Sequence, residues 1–373
     1  MKRIIAVFLT ACLVILCGCG QKTKPAGLGN GWEPVREMEL KYAEQFGVSY
    51  YAGGYKLITI PDGGSFLVIP EGREKPEGVS SDIVPIYQPV KNIYLAATAS
   101  MCFFDAMDRL DAIRLSGTKE DGWYIENARK AMQNGDIIYA GKYSEPDYEL
   151  ILSNSCPLAI ESTMIGHASG VKEKLERSGV PVLVDQSSKE SHPLARSEWI
   201  KLYAALLNEE EKADRLFAEQ TAHLDGLGEN TATNKTVAFF HISSSGLVVT
   251  RRSGDYVSKM IELAGGKYVF DDLGDPDKDI STVTIEMETF YETARDADII
   301  IYNSTIGGEI GTLDELLSMN DLLKNFKAVK NGDVWCTNEN MFQETMKLGQ
   351  MISDFNAVFT GNTENIMYLH KLK

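Results

Sequence analysis

The sequence predicts an α/β protein whose two lobes are joined by one long helix. From about Lys91 onward, short apolar runs alternate with helical segments, which is the pattern of parallel βαβ units. This alternation stops at Glu209–Leu227, where Leu216, Phe217 and Leu224 fall near one face of a helix and charged residues occupy the others. It resumes towards the C-terminus. Because a helix separates the two runs, we expect two lobes with a stiff connection.

The run before the long helix contains clear strand and helix signals. Strands are predicted over Leu158–Glu161 and Val182–Val184, and a helix over Val171–Ser178 lies between them. Gly179 is placed to end this helix, because glycine readily takes the left-handed conformation found after helix C-termini.

A β-hairpin is predicted ahead of this lobe. Two β-rich runs, Tyr55–Ile60 and Ser65–Ile69, flank the turn sequence Pro61–Gly64. The hairpin places additional strands before the first lobe.

The run after the long helix repeats the alternation. Thr312 and Glu315 have the spacing of a capping box and mark the start of one helix. The predicted strands are Val237–His241, Ile299–Tyr302 and Val334–Trp335, and the predicted helices are Tyr256–Ala264, Leu313–Asn325 and Gln343–Phe359.

The N-terminus has the features of a lipoprotein signal peptide. Lys2 and Arg3 precede the apolar run Ile4–Leu16, which is short for a membrane span. The run ends at Leu16-Cys17-Gly18-Cys19, where an apolar residue and two small residues precede cysteine. This pattern predicts cleavage after residue 18 and lipidation of Cys19, and the alternatives are an ordinary secretory signal or an uncleaved anchor.

These signals divide the chain into five parts. Residues 1–18 are the predicted signal peptide, and the polar residues 19–32 are a flexible tether. Residues 33–208 form the first α/β lobe, residues 209–230 the bridging helix, and residues 231–373 the second α/β lobe.

Charge and motif content exclude several functions. The net charge is −16, or −18 without Lys2 and Arg3, so nucleic acid is not an expected partner. The Gly-x-Ser-x-Gly, phosphate-loop and His-Glu-x-x-His motifs of enzymes are absent. Three widely spaced cysteines in the folded part, Cys102, Cys156 and Cys336, predict buried free thiols.

Four segments together resemble the periplasmic binding proteins that serve iron-siderophore, haem and cobalamin importers of the ABC type. The resemblance covers about Lys91 to Gly361, whereas Glu33–Val90 is longer than the usual start of the family. The segments are Ile93–Asp108, Pro146–Leu152 followed by Pro157–Ile160, Ile285–Tyr291 followed by Ala297–Tyr302, and His192–Lys201. This resemblance implies two rigid Rossmann-like lobes, a bridging helix and a ligand cleft between the lobes.

The resemblance also implies how the protein docks. In the family, one exposed glutamate on each lobe contacts arginines of the permease, and Glu149 and Glu288 match those positions. Two carboxylates on separate rigid lobes can each accept charge-assisted hydrogen bonds from an arginine. Glu145 and Glu286 are the nearest alternatives, and a solvated helix face is the other interpretation of all four.

The ligand site is expected where strand ends of the two lobes face each other. Arginine suits an anionic iron complex because it donates to catecholate, hydroxamate or carboxylate oxygens, and aromatic side chains suit its apolar rim. The candidate residues are Thr98, Ser100, Trp123, Tyr124, His167 and Arg196 in the first lobe, and Ser243, Ser244, Arg251, Arg252, Tyr256, Asn303 and Met341 in the second.

The sequence therefore predicts a monomeric, lipid-anchored binding protein on the outer face of the cytoplasmic membrane. It captures a ferric siderophore, or haem or cobalamin, for an ABC permease, and needs neither a resident cofactor nor a metal of its own. A protein for a bare metal ion or oxyanion is the alternative, although only five histidines are present. An envelope-anchored hydrolase using Ser243–Gly246 is a third interpretation.

Overall fold

The computed structural model of the protein describes residue 28 and residues 31–227, 232–273 and 282–373. The predicted signal peptide, Cys19 and most of the predicted tether lie outside these residues. No helix in the described ranges is both long enough and apolar enough to cross a membrane.

A five-stranded sheet opens the fold and contains the predicted hairpin as β3 and β4. Neighbouring strands follow chain order, with β4 and β5 parallel and the other pairs antiparallel. The strands are β1 (Arg36–Glu37), β2 (Gly47–Tyr50), β3 (Lys56–Ile60), β4 (Gly64–Ile69) and β5 (Ile83–Tyr87). One face, including Ile58 and Phe66, packs into the core of the first lobe. The opposite face, including Leu57 and Leu67, packs with Leu28 into a smaller cluster.

The first lobe is built on a parallel sheet of order β12-β11-β6-β7-β8. A short antiparallel ribbon, β9 with β10, lies between β8 and β11 in the chain. The strands are β6 (Ile93–Leu95), β7 (Ile113–Ser116), β8 (Ile138–Tyr139), β9 (Gly141–Lys142), β10 (Glu145–Pro146), β11 (Ala159–Ser162) and β12 (Val182–Asp185). The helices are α1 (Met101–Ala106), α2 (Glu126–Gln133), α3 (Tyr148–Ser153), α4 (Ser169–Arg177), α5 (Pro193–Glu198) and α6 (Ile200–Leu207).

One helix, α7 (Glu210–Asp225), connects the lobes. It is shorter than the predicted bridging helix of residues 209–230. It packs on α6 of the first lobe and on the final helix of the second. Phe217 on its inner face is buried, as the apolar pattern predicted. At Gly349 of the final helix, a Cβ would collide with the carbonyl oxygen of Gln220, so glycine permits this close approach.

The second lobe contains a mixed sheet of order β16-β14-β13-β17-β18-β19, and β15 pairs with β13. The three central strands, β13, β17 and β18, are parallel. The strands are β13 (Thr236–Ile242), β14 (Val248–Arg251), β15 (Lys267–Tyr268), β16 (Thr282–Ile285), β17 (Ile299–Tyr302), β18 (Val334–Thr337) and β19 (Leu369–Lys371). The helices are α8 (Tyr256–Leu263), α9 (Met287–Ala294), α10 (Ser304–Gly307), α11 (Leu313–Met319), α12 (Lys327–Asn331) and α13 (Leu348–Thr360).

Two predicted helices are shorter than expected. The helix predicted over Leu313–Asn325 ends at Met319, because Asn320 is extended and its side chain caps a separate 3₁₀ turn. The capping box of Thr312 and Glu315 is present at its start. The helix predicted from Gln343 begins as α-helix only at Leu348, after a 3₁₀ turn. The predicted two-lobed α/β fold is confirmed.

An unpaired carboxylate lies in the first lobe. Glu161 on β11 is fully buried, and neither of its oxygens has a hydrogen-bond partner among the described residues. Burial raises the pKa values of Tyr94 and Tyr148, and the charge of Glu161 raises them further. Burial raises the pKa of Glu161 to about 8, because the protein interior disfavours the charged form.

We expect the stability of the protein to fall as the pH rises from about 4.5 to about 8. In that range the folded state keeps a proton on Glu161 that the unfolded state releases, so rising pH favours unfolding. In the Glu161→Gln variant, the free energy of unfolding should fall by roughly 2–4 kcal/mol less across this range than in the wild type. The measurement is urea unfolding at several pH values, with the exposed Glu176→Gln as control. A variant whose profile follows that of the wild type would contradict this account.

Candidate functional site

The carboxyl ends of the strands in the two lobes face each other. Tyr124, which follows β7, donates its backbone N–H to Oε1 of Gln343, which follows β18, over 2.8 Å. Nε2 of Gln343 donates to the carbonyl oxygen of Gly122 over 2.7 Å. The Gln343 side chain is fully buried. One amide side chain therefore bridges the lobes through two hydrogen bonds at the end of the cleft near β7 and β18.

The outer part of this contact is aromatic and acidic. The Tyr124 hydroxyl donates to Oε2 of Glu339 over 2.8 Å, and this hydrogen bond raises the pKa of Tyr124. The ring of Phe342 meets the ring of Tyr124 edge-on, with 6.0 Å between centroids. Tyr124 and Phe342 both remain partly exposed.

A second contact joins the lobes where α5 meets α8. The Arg196 guanidinium lies 3.7 Å from the centroid of the Tyr256 ring, an arrangement of cation over aromatic face. Next to it, Oγ of Ser197 donates to the carbonyl oxygen of Thr345 over 2.7 Å. The loops that follow β6, β11, β13 and β17 begin at the carboxyl ends of their strands, and we take them as the candidate cleft.

The α5–α8 contact brings two arginines together with buried carboxylates. Arg251 pairs with Asp255 at 3.6 Å, and Asp255 also caps α8 by accepting from the N–H of Val257. Arg196 donates to the Ser188 carbonyl oxygen over 2.8 Å, but its buried Nε–H has no acceptor in the described chain. Burial lowers the pKa of Arg196, and the nearby Arg251 acts in the same direction, whereas Tyr256, Asp255 and Asp185 act in the opposite direction. An anion at this position would satisfy the free donor of Arg196.

Exposed apolar side chains follow the strand ends in both lobes. Nine large apolar residues are exposed in the described ranges, and five of them lie in this region. These five residues, here called the apolar rim, are Tyr124, Tyr139 and Met164 in the first lobe and Ile306 and Phe342 in the second. Such a concentration marks a surface that can cover an apolar ligand.

Four predicted ligand contacts have side chains that are buried inside the lobes in this structure. Ser100 is buried and donates to Asp185 over 2.6 Å, in a network with Tyr203. The other three side chains are likewise buried. Trp123 and Met341 belong to the hydrophobic cores of their lobes, and Asn303 caps α10 by accepting from Thr305.

The remaining candidates lie in the cleft loops or beside them. Thr98 is half-buried with its hydroxyl 3.1 Å from that of Thr118, and His167 is exposed after β11. Ser243 uses its hydroxyl to close the turn to Leu247, and Ser244 is exposed in the same turn. Of the predicted residues, the structure brings together Arg196, Arg251 and Tyr256, with Arg252 next in the chain.

Glu149 and Glu288 occupy equivalent places in the two lobes. Each is exposed in the first turn of a short helix, α3 or α9, two residues after the residue that caps it. Each helix leads into a strand of the main sheet, β11 or β17. This placement leaves both carboxylates open to solvent, and their docking role stays a prediction.

Sequence reasoning missed Gln343 of the inter-lobe bridge and most of the apolar rim. Gln343 and Phe342 directly follow Met341, which was chosen for its place after β18, so their position in the chain was the available signal. Met164 and Ile306 follow β11 and β17 in the same way. The three folded-part cysteines are free and buried, as predicted. No group of three metal-binding side chains is found among the described residues.

We expect only a small relative movement of the lobes when ligand binds. The continuous α7, the buried Gln343 bridge and the Ser197 hydrogen bond all resist rotation. Small-angle scattering with and without ligand should give closely similar radii of gyration. Gln343→Ala should increase the difference in radius of gyration between the free and the ligand-bound protein, whereas Gln350→Ala on α13 should not. A large change in the wild type would contradict the expectation.

These features define a two-lobed α/β binding protein with a cleft at the carboxyl ends of its strands. The sequence profile of the periplasmic binding protein family matches residues 114–340, more than half of the chain. The chain therefore belongs to the periplasmic binding protein family.

Individual proteins agree with this assignment. The uncharacterized lipoprotein MJ0878 of Methanocaldococcus jannaschii is 24% identical over 96% of this chain and 93% of its own length. A periplasmic haem-binding protein of Pseudomonas aeruginosa has a TM-score of 0.57 and 12% identity, covering 76% of this chain and 98% of its own. An ABC-type Fe³⁺-hydroxamate transport protein of Saccharomonospora viridis has a TM-score of 0.56 and 18% identity, covering 73% of this chain and 93% of its own. At these identities the two solved structures establish the fold.

Proposed function

We propose that this chain is the lipid-anchored binding subunit of an ABC importer, held on the outer face of the cytoplasmic membrane through Cys19. It captures an anionic iron complex, foremost a ferric siderophore, with haem or cobalamin as near variants, and delivers it to the permease. The lipoprotein signal in the sequence and the lipoprotein relative support the anchor. The names of the haem and hydroxamate proteins of the same fold support the ligand class.

The arrangement of Arg196 and Arg251 is the observation that carries the proposal. Arg251 pairs with the buried Asp255, whereas Arg196 forms no salt bridge among the described residues. Arg196 also has a buried donor that no described residue satisfies. Buried donors are nearly always satisfied in proteins, so this one is a natural position for a ligand oxygen.

The apolar rim supports a bulky ligand. A bare metal ion or a small oxyanion would make no use of exposed Tyr124, Met164, Ile306 and Phe342. A chelate with aromatic or macrocyclic surface would cover them and remove apolar area from water. The combination of arginines with this rim favours a ferric chelate over the bare-ion alternative.

A thermal-shift screen tests the proposal. The panel contains the ferric complexes of catechol and acetohydroxamate, haem, cobalamin, and zinc and phosphate as the bare-ion comparison. A ligand that binds only the folded state raises the unfolding temperature, by several degrees when present well above its dissociation constant. We expect a rise with at least one chelate and none with zinc or phosphate. A rise with zinc or phosphate alone would favour the bare-ion alternative.

A further inference from the structure

Five consecutive backbone N–H groups in the N-terminal region point at two buried carboxylates. Glu198 accepts from the N–H groups of Lys41, Tyr42 and Ala43, at 2.8, 2.7 and 2.9 Å. Glu190 accepts from those of the next two residues, at distances between 3.0 and 3.2 Å. Residues 39–45, which connect β1 to β2, are here called the clamp segment.

Other contacts reinforce this attachment. The ring of Tyr42 stacks on that of His192 at 4.3 Å, and His192 caps α5 by accepting from the N–H of Leu194. Lys201 donates to the carbonyl oxygen of Glu39 and lies 3.1 Å from Glu198. The clamp segment therefore holds α5 at both of its ends.

The helix that is held in this way carries Arg196. Residues two apart on an α-helix point about 200° apart, so Glu198 faces the clamp segment while Arg196 faces the second lobe. Arg196 reaches Tyr256 there, and Ser197 reaches Thr345. The position of the arginine in the cleft thus depends on how α5 is attached.

The chemistry of the attachment favours a role in positioning. Apolar residues would fix α5 to the N-terminal sheet without the cost of burying two carboxylates. A carboxylate held by several N–H groups instead fixes one geometry, because each hydrogen bond is directional. The clamp segment also lies outside residues 114–340, so the family match does not account for it.

We propose that the clamp segment positions α5, and through it Arg196, for ligand binding, with Glu190 and Glu198 as positioning residues. This inference rests on the proposed function only in so far as Arg196 contacts the ligand. The N-terminal sheet is then part of the binding apparatus of the first lobe.

Hydrogen exchange of the full chain without ligand tests the attachment. Glu198→Gln keeps the size of the side chain but removes its charge, and we expect the amides of residues 194–199 to exchange about tenfold faster. Tyr42→Ala, a milder change in the clamp segment, should act in the same direction and serves if Glu198→Gln fails to fold. Glu176→Gln on the exposed face of α4 is the control. Unchanged exchange of residues 194–199 in both clamp variants would overturn the inference.

The affinity for whichever panel chelate binds the wild type tests the link to Arg196. Glu198→Gln, or Tyr42→Ala in its place, should weaken binding about tenfold, and adding it to Arg196→Gln should weaken binding no further, because both changes act through one group. If the losses of affinity caused by the clamp variant and by Arg196→Gln multiply in the combined variant, the clamp segment does not act through Arg196 and this link is overturned. If no chelate binds the wild type, the proposed function fails and, with it, the role in ligand binding. The exchange result still decides whether the clamp segment holds α5.

Discussion

Replacing Glu149 and Glu288 together by alanine should abolish uptake through the permease while leaving the affinity for the ligand unchanged. Both side chains are exposed, form no hydrogen bond or salt bridge among the described residues, and sit at equivalent positions on α3 and α9. Removing two charge-assisted contacts, one on each lobe, eliminates the pairing that orients the protein on its partner. Each single variant should reduce uptake less than the pair does.

The neighbouring glutamates provide a matched control for this experiment. Glu145 and Glu286 are also exposed and lie within four residues of the proposed docking residues. Their double alanine variant has the same net charge as the test variant, so a nonspecific charge effect would appear in both. Uptake is measured with labelled ligand in cells that carry the permease. Normal uptake with Glu149→Ala plus Glu288→Ala would remove the docking assignment. Loss of uptake only in the control variant would assign docking to Glu145 and Glu286 instead.

Replacing Arg196 and Arg251 together by glutamine should weaken ligand binding by about two orders of magnitude. The two guanidinium groups flank Asp255, and the unsatisfied Nε–H of Arg196 supplies a donor that glutamine cannot replace in the same geometry. The affinity of the wild type should also fall with salt more steeply than that of the variant, since two fewer charges contribute. The measurement is fluorescence titration at two salt concentrations.

Two further variants separate the roles of charge and shape. Arg196→Lys keeps the charge but lacks the planar fork, so we expect an affinity between those of the wild type and the glutamine variant. Arg295→Gln removes an exposed arginine of the second lobe, which pairs with Asp296, and should bind ligand normally. Thermal unfolding confirms that each variant is folded. Wild-type affinity in the double variant would exclude the arginines from the site.

Periodicity and turn chemistry were sufficient to predict most of the fold. The β3–β4 hairpin, β17 and the Thr312 capping box follow from local sequence, because each depends on residues close together in the chain. The full N-terminal sheet was not predicted, because its short edge strand β1 carries no apolar alternation. The break at Asn320 was missed since helical periodicity continues beyond it.

The site was predicted less completely, since it depends on contacts between distant parts of the chain. Arg196 and Tyr256 were both chosen as candidates, but their contact joins residues 60 apart and has no local signal. Ser100 and Trp123 were chosen for their places after strands, yet both side chains turn into the core. Glu198 lies within the largely apolar stretch Pro193–Leu207. A carboxylate in such a stretch indicates a buried group that needs hydrogen-bond donors, and this was the signal available in the sequence.

Direct titration of the purified chain with the chelate identified by thermal shift tests the central claim most directly. Quenching of tryptophan fluorescence by a ferric chelate or haem, or bound absorbance after gel filtration for cobalamin, gives both affinity and stoichiometry. We expect saturation at one chelate per chain, and loss of that binding when Arg196 and Arg251 are both replaced. Absence of saturable binding across the panel, or full binding without these arginines, would contradict the account.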